Sequence, residues 1–416
     1  MRLHPFRAIR PAPEQAAAIA SPPYDVVSRG EAAALARDNP RSFLHVCRAE
    51  IDLPAEVDPY DPRVYVRARE NLDALLRRGD LVRDAEPALF LYREVMDGRA
   101  QVGVVGCVHV DDYETDVIRK HEKTRPDKED DRTRHLLALD AQAEPVLLMY
   151  RGRAEIDALV TAATAAPPLY DFTTPDGVAH TVWRVADATP YLTAFAGVAS
   201  AYVADGHHRS ASAWRAARQR RAENPRHSGD EEYDWLLAVL FPAGQLSILA
   251  YNRLVLDLAG RRPDEVLGDL AKLGRLSAGA DPVPPRPGVF CFYFADGRGG
   301  GSRGAWHRLE LPEASIDRSD PLRALDVSSL QERVLGPLLG IVDQRTDKRI
   351  DFVGGIRGTR ALETRVDAGE AALAISLHPT TVEQLMAVSD RGHVMPPKST
   401  WFEPKLLSGL FVHPMA

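Results

Sequence analysis

The chain has 416 residues, of which 45% are hydrophobic and 27% charged, and its formal net charge is −7 at pH 7. This usage is typical of globular proteins and allows two or three domains, while the negative balance argues against nucleic acid as the main partner. Cys47, Cys107 and Cys291 lie far apart without metal-ligand spacing, which favours a reducing compartment. Because no apolar leader or bilayer-length run is visible, we expect a cytoplasmic protein with no membrane partner.

The N-terminal third predicts a helix followed by a hairpin. Apolar residues share one helical face within residues 65–78, and a glycine follows directly, as at many helix ends. Residues 88–93 and 101–110 have strand character and flank Asp97 and Gly98, a pair that favours a tight hairpin turn. We therefore expect antiparallel strands in this region.

A long charged segment follows at residues 111–135, before a predicted buried strand at 145–150. Its mixed charges are typical of a solvated helix or a mobile loop. However, a long charged connection between strands is more often functional than a neutral one. Within this segment His121 and Glu122 are candidates for proton transfer.

The next elements predict a change of domain. Alanine-rich residues 155–166 favour a helix that two prolines end, and a linker is expected near 160–175. The expected domains are an N-terminal α/β domain, residues 1–160, carrying the charged segment, and a second domain, residues 175–416. Since predicted paired strands outnumber strand-helix-strand units, we expect an α+β fold with mixed, largely antiparallel sheets and flanking helices. The later strands are predicted at 180–185, 235–241, 246–255, 288–294 and 306–311.

A glycine-rich segment lies between the last two predicted strands. Gly299, Gly301 and Gly304 have the spacing of a dinucleotide-binding fingerprint. That fingerprint must open a helix, whereas the residues that follow have strand character. We interpret residues 297–304 as the tip of a hairpin.

The most informative segment is residues 201–210, where a short strand-like run ends and a helix-like segment begins at 210. The N–H groups and the dipole of a helix N-terminus favour an anion. Glycine permits close backbone approach, histidine can donate hydrogen bonds, and arginine offers a planar fork for phosphate oxygens. The simplest ligand is a phosphate group, and the candidate residues are Gly206, His207, His208, Arg209 and Ser210.

Two other interpretations of this segment stay open. It can be a polar turn in which Arg209 pairs with a surface carboxylate and the histidines cap the helix. It can also bind a metal, although adjacent histidines in an extended segment point to opposite faces and rarely chelate one ion together.

The C-terminal region contains a second unusual segment, residues 394–413. Two prolines stiffen it, and cations and hydroxyls follow that could hold a phosphate or carboxylate. The candidates are Lys398, Ser399, Thr400 and Lys405. The alternative is a terminal segment that docks Trp401, Phe402 and Phe411 on the core, and both roles can hold together.

Residues 202–213 resemble the phosphate-binding box of the ParB/sulfiredoxin-like superfamily, most of all its free-serine kinase branch. The whole chain resembles a large bacterial family of unknown function, often labelled ParB-like, which combines four motifs. Here these motifs stand at residues 22–27, 121–124, 205–209 and 396–400. The resemblance implies a ParB/sulfiredoxin-like element around residues 180–225. A DNA-segregation role transfers least, because no helix-turn-helix signal or basic arm is visible.

The resemblance also implies a function. It suggests a nucleotide-binding phosphotransferase, a small-molecule kinase that uses ATP or ADP with Mg²⁺ and acts on the hydroxyl of a small metabolite. Glu122, His121 and Asp205 are then the candidates for taking the hydroxyl proton, Asp205 also for binding the Mg²⁺, and Lys398 for clamping the transferred group. The alternatives are a ParB-type nucleotide-gated switch, possible as a homodimer, and a phosphohydrolase, both without DNA binding.

Overall fold

The computed structural model describes residues 1–295 and 304–416. They divide into two compact units, Met1–Leu246 with Pro404–Ala416, and Ser247–Glu403. The expected linker near 160–175 is therefore not a domain boundary, which corrects the predicted division. The reason is the main sheet, in which Tyr170–Thr173 pairs with Ala179–Arg184 and joins strands from both sides of the proposed boundary.

The first unit is built on a nine-stranded mixed sheet. Two of its pairings are parallel and the others are antiparallel, which agrees with the predicted α+β class. In spatial order, with Leu3–His4 paired to the fifth, the strands are Ile118–Arg119, Ala201–Asp205, Val146–Tyr150, Trp235–Pro242, Arg99–His109, Phe90–Met96, Ala179–Arg184 and Tyr170–Thr173. Two small ladders join Ile9–Pro11 to Leu81–Arg83 and Ala141–Gln142 to His413–Pro414.

Helices flank this sheet. The longest begins at His207, and its alanines Ala213, Ala216 and Ala217 belong to the same buried cluster as Val203 of the sheet. Small side chains allow the helix to lie close to the strands. The α-helices of the first unit are Ala16–Ile19, Arg29–Ala36, Leu44–Cys47, Pro62–Arg77, Val110–Glu114, Pro126–Leu139, Ala154–Ala163, Thr189–Ala196 and His207–Glu223.

Local sequence signals account for several of these elements. The helix predicted at 65–78 is confirmed, but it begins at Pro62 because Asp61 caps it. The predicted hairpin is also confirmed. Met96 and Arg99 are paired, and Asp97 and Gly98 form the two-residue turn with φ of 51° and 77°.

The charged segment is more ordered than a solvated helix or loop. A helix, Pro126–Leu139, occupies its second half and buries Asp131, Thr133 and His135. The Tyr65 hydroxyl donates to Asp131 at 3.0 Å, and a His135 ring nitrogen lies 2.9 Å from the Val46 carbonyl oxygen. Burial of polar groups with partners fixes this helix against the first unit.

The second unit contains a six-stranded antiparallel sheet. Its order is Arg275–Ala278, Ala305–Glu310, Val289–Phe294, Leu373–Leu377, Tyr251–Val255 and Ile350–Gly354, and Ser247–Leu249 pairs separately with Trp401–Glu403. The predicted pairing of strands at 288–294 and 306–311 is confirmed, while residues 297–303 of the glycine-rich tip lie outside the described residues. The α-helices are Pro263–Leu273, Asp326–Leu330, Gly336–Leu339, Gly358–Asp367 and Val382–Asp390, with a π-helical turn at Gln331–Leu335.

Within the described ranges, the helices lack the combination of length and apolar character that crossing a bilayer requires.

A buried carboxyl in the second unit gives a test of its packing. Asp326 accepts a hydrogen bond from the Gly288 N–H at 2.8 Å, and burial raises the pKa of its carboxyl to about 6. The folded state therefore holds this proton more tightly than the unfolded chain. The stability that this proton gives is complete below an ordinary aspartate pKa of 3.8 and is lost as the pH rises to about 6.

As the pH rises over this range, we expect the wild type to lose roughly 2 to 3 kcal/mol in the free energy of unfolding. Asp326→Asn should not show this loss. The amide oxygen can still accept the Gly288 hydrogen bond. Urea unfolding at about pH 4 and about pH 7 measures the difference, and the exposed Asp264→Asn is the control. An equal pH dependence in the wild type and Asp326→Asn would contradict burial of the charge.

Candidate functional site

The site lies where two parallel strands end. Ile118 and Arg119 pair with Ala201 and Tyr202, so both strands run in the same direction. Parallel strands end at the same edge of a sheet, and ligands of open sheets gather at that edge. The residues that follow the two strands, from 120 and from 206, are thereby brought together.

A shift in strand pairing bends the end of the second strand, Ala201–Asp205. The register of its pairing with Val146–Tyr150 shifts between Val203 and Asp205. Such bulges bend a strand and change the direction of its side chains. Asp205 is half-buried and stands directly before the turn at Gly206.

Gly206 forms the sharp turn from strand to helix with a φ of 96°, in the left-handed region. The helix begins at His207, three residues earlier than predicted, so His207, His208 and Arg209 form its first turn. The N-cap residue is Gly206, which has no side chain to cap the helix. The first N–H groups of the helix and the positive end of its dipole therefore lie at the end of strand Ala201–Asp205.

Ser210 does not face this opening. It is fully buried, its hydroxyl donates to the Gly206 carbonyl oxygen at 3.1 Å, and its N–H donates to the same oxygen at 2.9 Å. These bonds stabilise the first helical turn. The side chain of Ser210 has no exposed surface, and its predicted contact with a ligand stays a prediction.

Two imidazoles from different segments meet at the site. The ring centroids of His121 and His207 are 4.4 Å apart with an interplanar angle of 90°. Glu122 joins them, since ligand atoms of the three side chains all lie within 4.8 Å of one another. Burial, and then the neighbouring His207, lower the pKa of His121 to about 3, so its imidazole is neutral at physiological pH.

His208 connects the helix to the preceding loop. Its Nε2 accepts a hydrogen bond from the backbone N–H of Arg125 at 3.1 Å. The Arg125 guanidinium in turn pairs with Asp127 in the next helix. Loop 120–125 is thus held beside the start of the helix.

Asp205 lies between two cations. Its Oδ2 accepts from Arg209 Nη2 at 2.9 Å, and its Oδ1 is 3.5 Å from Lys405 Nζ. Although burial raises the pKa of Asp205, the charges of Lys405 and Arg209 outweigh that effect and hold it well below its usual range. Asp205 therefore stays ionised and is a weak proton acceptor.

Arg209 is anchored inside the protein. Its side chain is 8% exposed and donates to the Pro145 carbonyl oxygen as well as to Asp205. Burial lowers the pKa of Arg209, but the charges of Asp25 and Asp205 outweigh it and raise the pKa above its usual value. Two of the five N–H donors of Arg209 thus bind protein acceptors and orient Asp205, and the predicted contact of Arg209 with phosphate stays a prediction.

The predicted C-terminal residues are divided between the two units. Lys405 belongs to the first unit, where it pairs with Asp205. Lys398, Ser399 and Thr400 belong to the second, where Lys398 is exposed, has a φ of 57° and lies 5.7 Å from the Tyr251 ring. Ser399 is buried and donates to the Pro396 carbonyl oxygen. Their proposed share in a phosphate site remains a prediction.

The aromatic residues expected to dock on the core, Trp401, Phe402 and Phe411, are also divided between the two units. Phe402 is buried in the second unit, and the Trp401 indole donates to Glu403. Phe411 is buried in the first unit, with its ring centroid 5.2 Å from that of Phe90.

Residues 3–328 match the family described as "Protein of unknown function (DUF1015)". The chain belongs to this family. The match includes the strand ends, His121, Glu122 and the start of the helix at His207, and it ends before Lys398 and Lys405. A search of curated proteins finds no match to the sequence.

Three solved structures have distant similarity to the chain. C-terminally truncated SbnI from Staphylococcus aureus is 13% identical, with a TM-score of 0.38, covering 74% of this chain and 87% of that one. A conserved hypothetical protein from Pyrococcus furiosus is 12% identical, with a TM-score of 0.33, covering 74% and 95%. A free serine kinase in complex with AMP is 13% identical, with a TM-score of 0.34, covering 74% and 92%.

A buried polar network beside Arg209 was not predicted as part of the site. The Arg132 guanidinium lies 4.2 Å from the centroid of the Tyr24 ring, and Tyr24 donates its N–H to Glu144 at 3.1 Å. Glu144 also accepts from the Ser408 hydroxyl at 2.8 Å. A cavity of about 30 Å³ is lined in part by Arg132, Glu144 and Arg209.

One signal in the sequence pointed to this network. Tyr24 and Asp25 belong to the motif at residues 22–27, one of the four on which the family resemblance depends. Asp25 is exposed, and its charge acts on Arg209. The first three motifs therefore converge on one side of the first unit.

The turn at Gly206 can be tested against a matched glycine. A Cβ at Gly206 would meet Arg209 Nε at 3.0 Å, whereas one at Gly177, with a similar φ of 86°, would meet nothing within 4 Å. We expect both Gly→Ala variants to lose about 1 to 2 kcal/mol in the free energy of unfolding from the left-handed backbone. Gly206→Ala should lose more, because it also displaces Arg209.

Urea unfolding of the two variants measures this difference. Equal losses would show that the close approach of Gly206 to Arg209 has no energetic consequence.

Proposed function

We propose that the end of strand Ala201–Asp205 binds the phosphates of a nucleotide, and that the protein is a phosphotransferase acting on the hydroxyl of a small metabolite. The observation that carries this proposal is the N-terminus of a 17-residue helix, which begins after Gly206 directly at a strand end beside the Glu122 carboxylate. An anion site and an acidic group are the two parts that phosphoryl transfer requires.

The phosphates would bind to the first turn of the helix. Backbone N–H groups of residues 207–209 supply donors, and the half-buried His208 and Lys405 lie at the same strand end. Because Arg209 and Lys405 both pair with Asp205, the helix N-terminus and His208 would supply much of the attraction for phosphate. Gly206 allows the ligand to approach the backbone closely.

The three candidates for proton transfer differ in their surroundings. His121 is neutral and has a pKa of about 3, so it cannot hold a proton near neutral pH. Asp205 is held ionised by Lys405 and Arg209. Glu122 is half-buried and faces both imidazoles, so it would act on the acceptor hydroxyl, either by taking the proton directly or through a cation.

The sequence resemblance to the free-serine kinase branch of the ParB/sulfiredoxin-like superfamily supports this choice of reaction. It suggests ATP or ADP as the nucleotide and a small hydroxyl compound as the acceptor. Mg²⁺ would bind chiefly through phosphate oxygens. Asp205, the earlier candidate for holding it, already has two cationic partners.

A nucleotide-gated switch is the second candidate. The bond from the Arg125 N–H to His208 favours it, because a ligand that takes the His208 imidazole would release loop 120–125. Such a switch would change its mass in light scattering when nucleotide is added, without turnover. A phosphohydrolase would instead release phosphate without an acceptor.

Nucleotide binding is tested by calorimetry with ATP, ADP and AMP, in EDTA and in Mg²⁺. We expect His208→Ala to weaken binding of the preferred nucleotide at least tenfold, since it removes the imidazole at the helix start. His227→Ala, which changes a histidine in another cluster of the first unit, should bind as the wild type does. If no nucleotide binds, or if both variants bind equally well, the phosphate site is wrong.

Catalysis is tested by Glu122→Gln in a screen of amino-acid and polyol acceptors. We expect nucleotide binding to be retained and phosphoryl transfer to fall at least 100-fold, because the amide can neither take a proton nor hold a cation well. Glu231→Gln is the matched control. Transfer at the wild-type rate in Glu122→Gln would exclude a catalytic role for this carboxylate.

A further inference from the structure

The meeting of His121, Glu122 and His207 offers more than a proton acceptor. His121 is 1% exposed and His207 is 7% exposed, and their rings stand edge to face with centroids 4.4 Å apart. Glu122 brings a carboxylate oxygen to the same point, with ligand atoms of all three residues within 4.8 Å of one another. Buried imidazoles that converge with a carboxylate form a typical donor set for a metal ion.

The surrounding structure holds these side chains in position. A hydrogen bond connects the His121 imidazole to the backbone of Val203 in the neighbouring strand. Metal-binding histidines usually make such a bond with one ring nitrogen and present the other to the ion. His207 is fixed by its place in the first turn of the helix.

Only a small movement would complete the site. Ligands about 2.0 to 2.2 Å from a tetrahedral ion lie roughly 3.4 Å from each other. The present separations of up to 4.8 Å can close by rotation of the side chains. Two segments of the chain contribute, and the strand pairing at Ile118–Arg119 and Ala201–Tyr202 already brings them together.

We propose that His121, Glu122 and His207 bind a divalent transition-metal ion of the Zn²⁺ and Co²⁺ class. Imidazole nitrogens select such ions, whereas Mg²⁺ takes oxygen ligands and keeps much of its water. Three protein ligands leave a position open. This part of the proposal rests on the proposed function: the open position takes a phosphate oxygen of the nucleotide at the helix N-terminus. Glu122 then acts as a metal ligand.

Asp205 suits this ion less well. Both of its oxygens face cations, Arg209 at 2.9 Å and Lys405 at 3.5 Å, and these would repel a divalent ion. The ion would therefore lie on the side of His121 and His207.

The chain contains an internal control for this proposal. His227, Glu231 and Asp234 also lie within 4.8 Å of one another. There, however, His227 Nδ1 is 2.9 Å from Glu231, and Asp234 pairs with Arg221 at 2.7 Å. An arginine at this distance opposes a cation, so we expect no tight metal binding at this second cluster.

The test is a Co²⁺ titration of the full chain after EDTA treatment, without nucleotide, followed by visible absorption. We expect one equivalent of Co²⁺ to bind with a ligand-field spectrum, and a large excess of Mg²⁺ not to displace it. His207→Gln and His121→Gln should each weaken binding at least 100-fold, while His227→Gln binds as the wild type does. Circular dichroism checks that each variant is folded, and Glu122→Gln, at the half-buried ligand, serves if a histidine variant is not.

The metal site would be overturned by absence of Co²⁺ binding to the wild type, or by a spectrum and affinity that folded variants of the three residues leave unchanged. Loss of Co²⁺ in His227→Gln alone would place the ion at the other cluster and also overturn it. Calorimetry of nucleotide binding in EDTA distinguishes failure of the metal site from failure of the proposed function. Nucleotide binding without a Co²⁺ site refutes the metal, whereas Co²⁺ binding without any nucleotide binding refutes the phosphate site alone.

Discussion

The short parallel pairing of Ile118–Arg119 with Ala201–Asp205 is the constraint on which the site depends. It aligns the carboxyl ends of two strands that are more than 80 residues apart in sequence. Loop 120–125 and the first turn of helix His207–Glu223 consequently share one edge of the sheet. Without this pairing, the proposed phosphate site and the proposed metal ligands would lie on unrelated parts of the chain.

Charge compensation then decides what each group at this edge can do. Lys405 and Arg209 keep Asp205 ionised, and Asp205 in turn holds one nitrogen of the Arg209 guanidinium. A buried charge persists because its partners lie within hydrogen-bond distance. The helix N-terminus and the half-buried Glu122 are therefore the groups best placed to meet a ligand.

Local patterns predicted much of the fold but not the environment of the site. The Asp97-Gly98 turn and the buried strand Val146–Tyr150 follow from signals within a few residues. The sequence did not predict that His121 meets His207, because long-range pairing leaves no local signal. Burial of Ser210 and Arg209 depends on tertiary packing that leaves no local signal. The predicted domain boundary was wrong because proline-rich turns can also lie inside one sheet.

Because the chain returns to the first unit after residue 403, the order of translation affects how this unit folds. Residues 247–403 form a compact unit inserted between two parts of the other unit, and Lys405, Ser408 and His413–Pro414 arrive only after it. On the ribosome, Asp205 and Glu144 must therefore wait, without these partners, until almost the whole chain has been translated. The inserted unit can fold vectorially as it emerges, while the unit that carries the site completes its fold only after residues 404–416 have emerged.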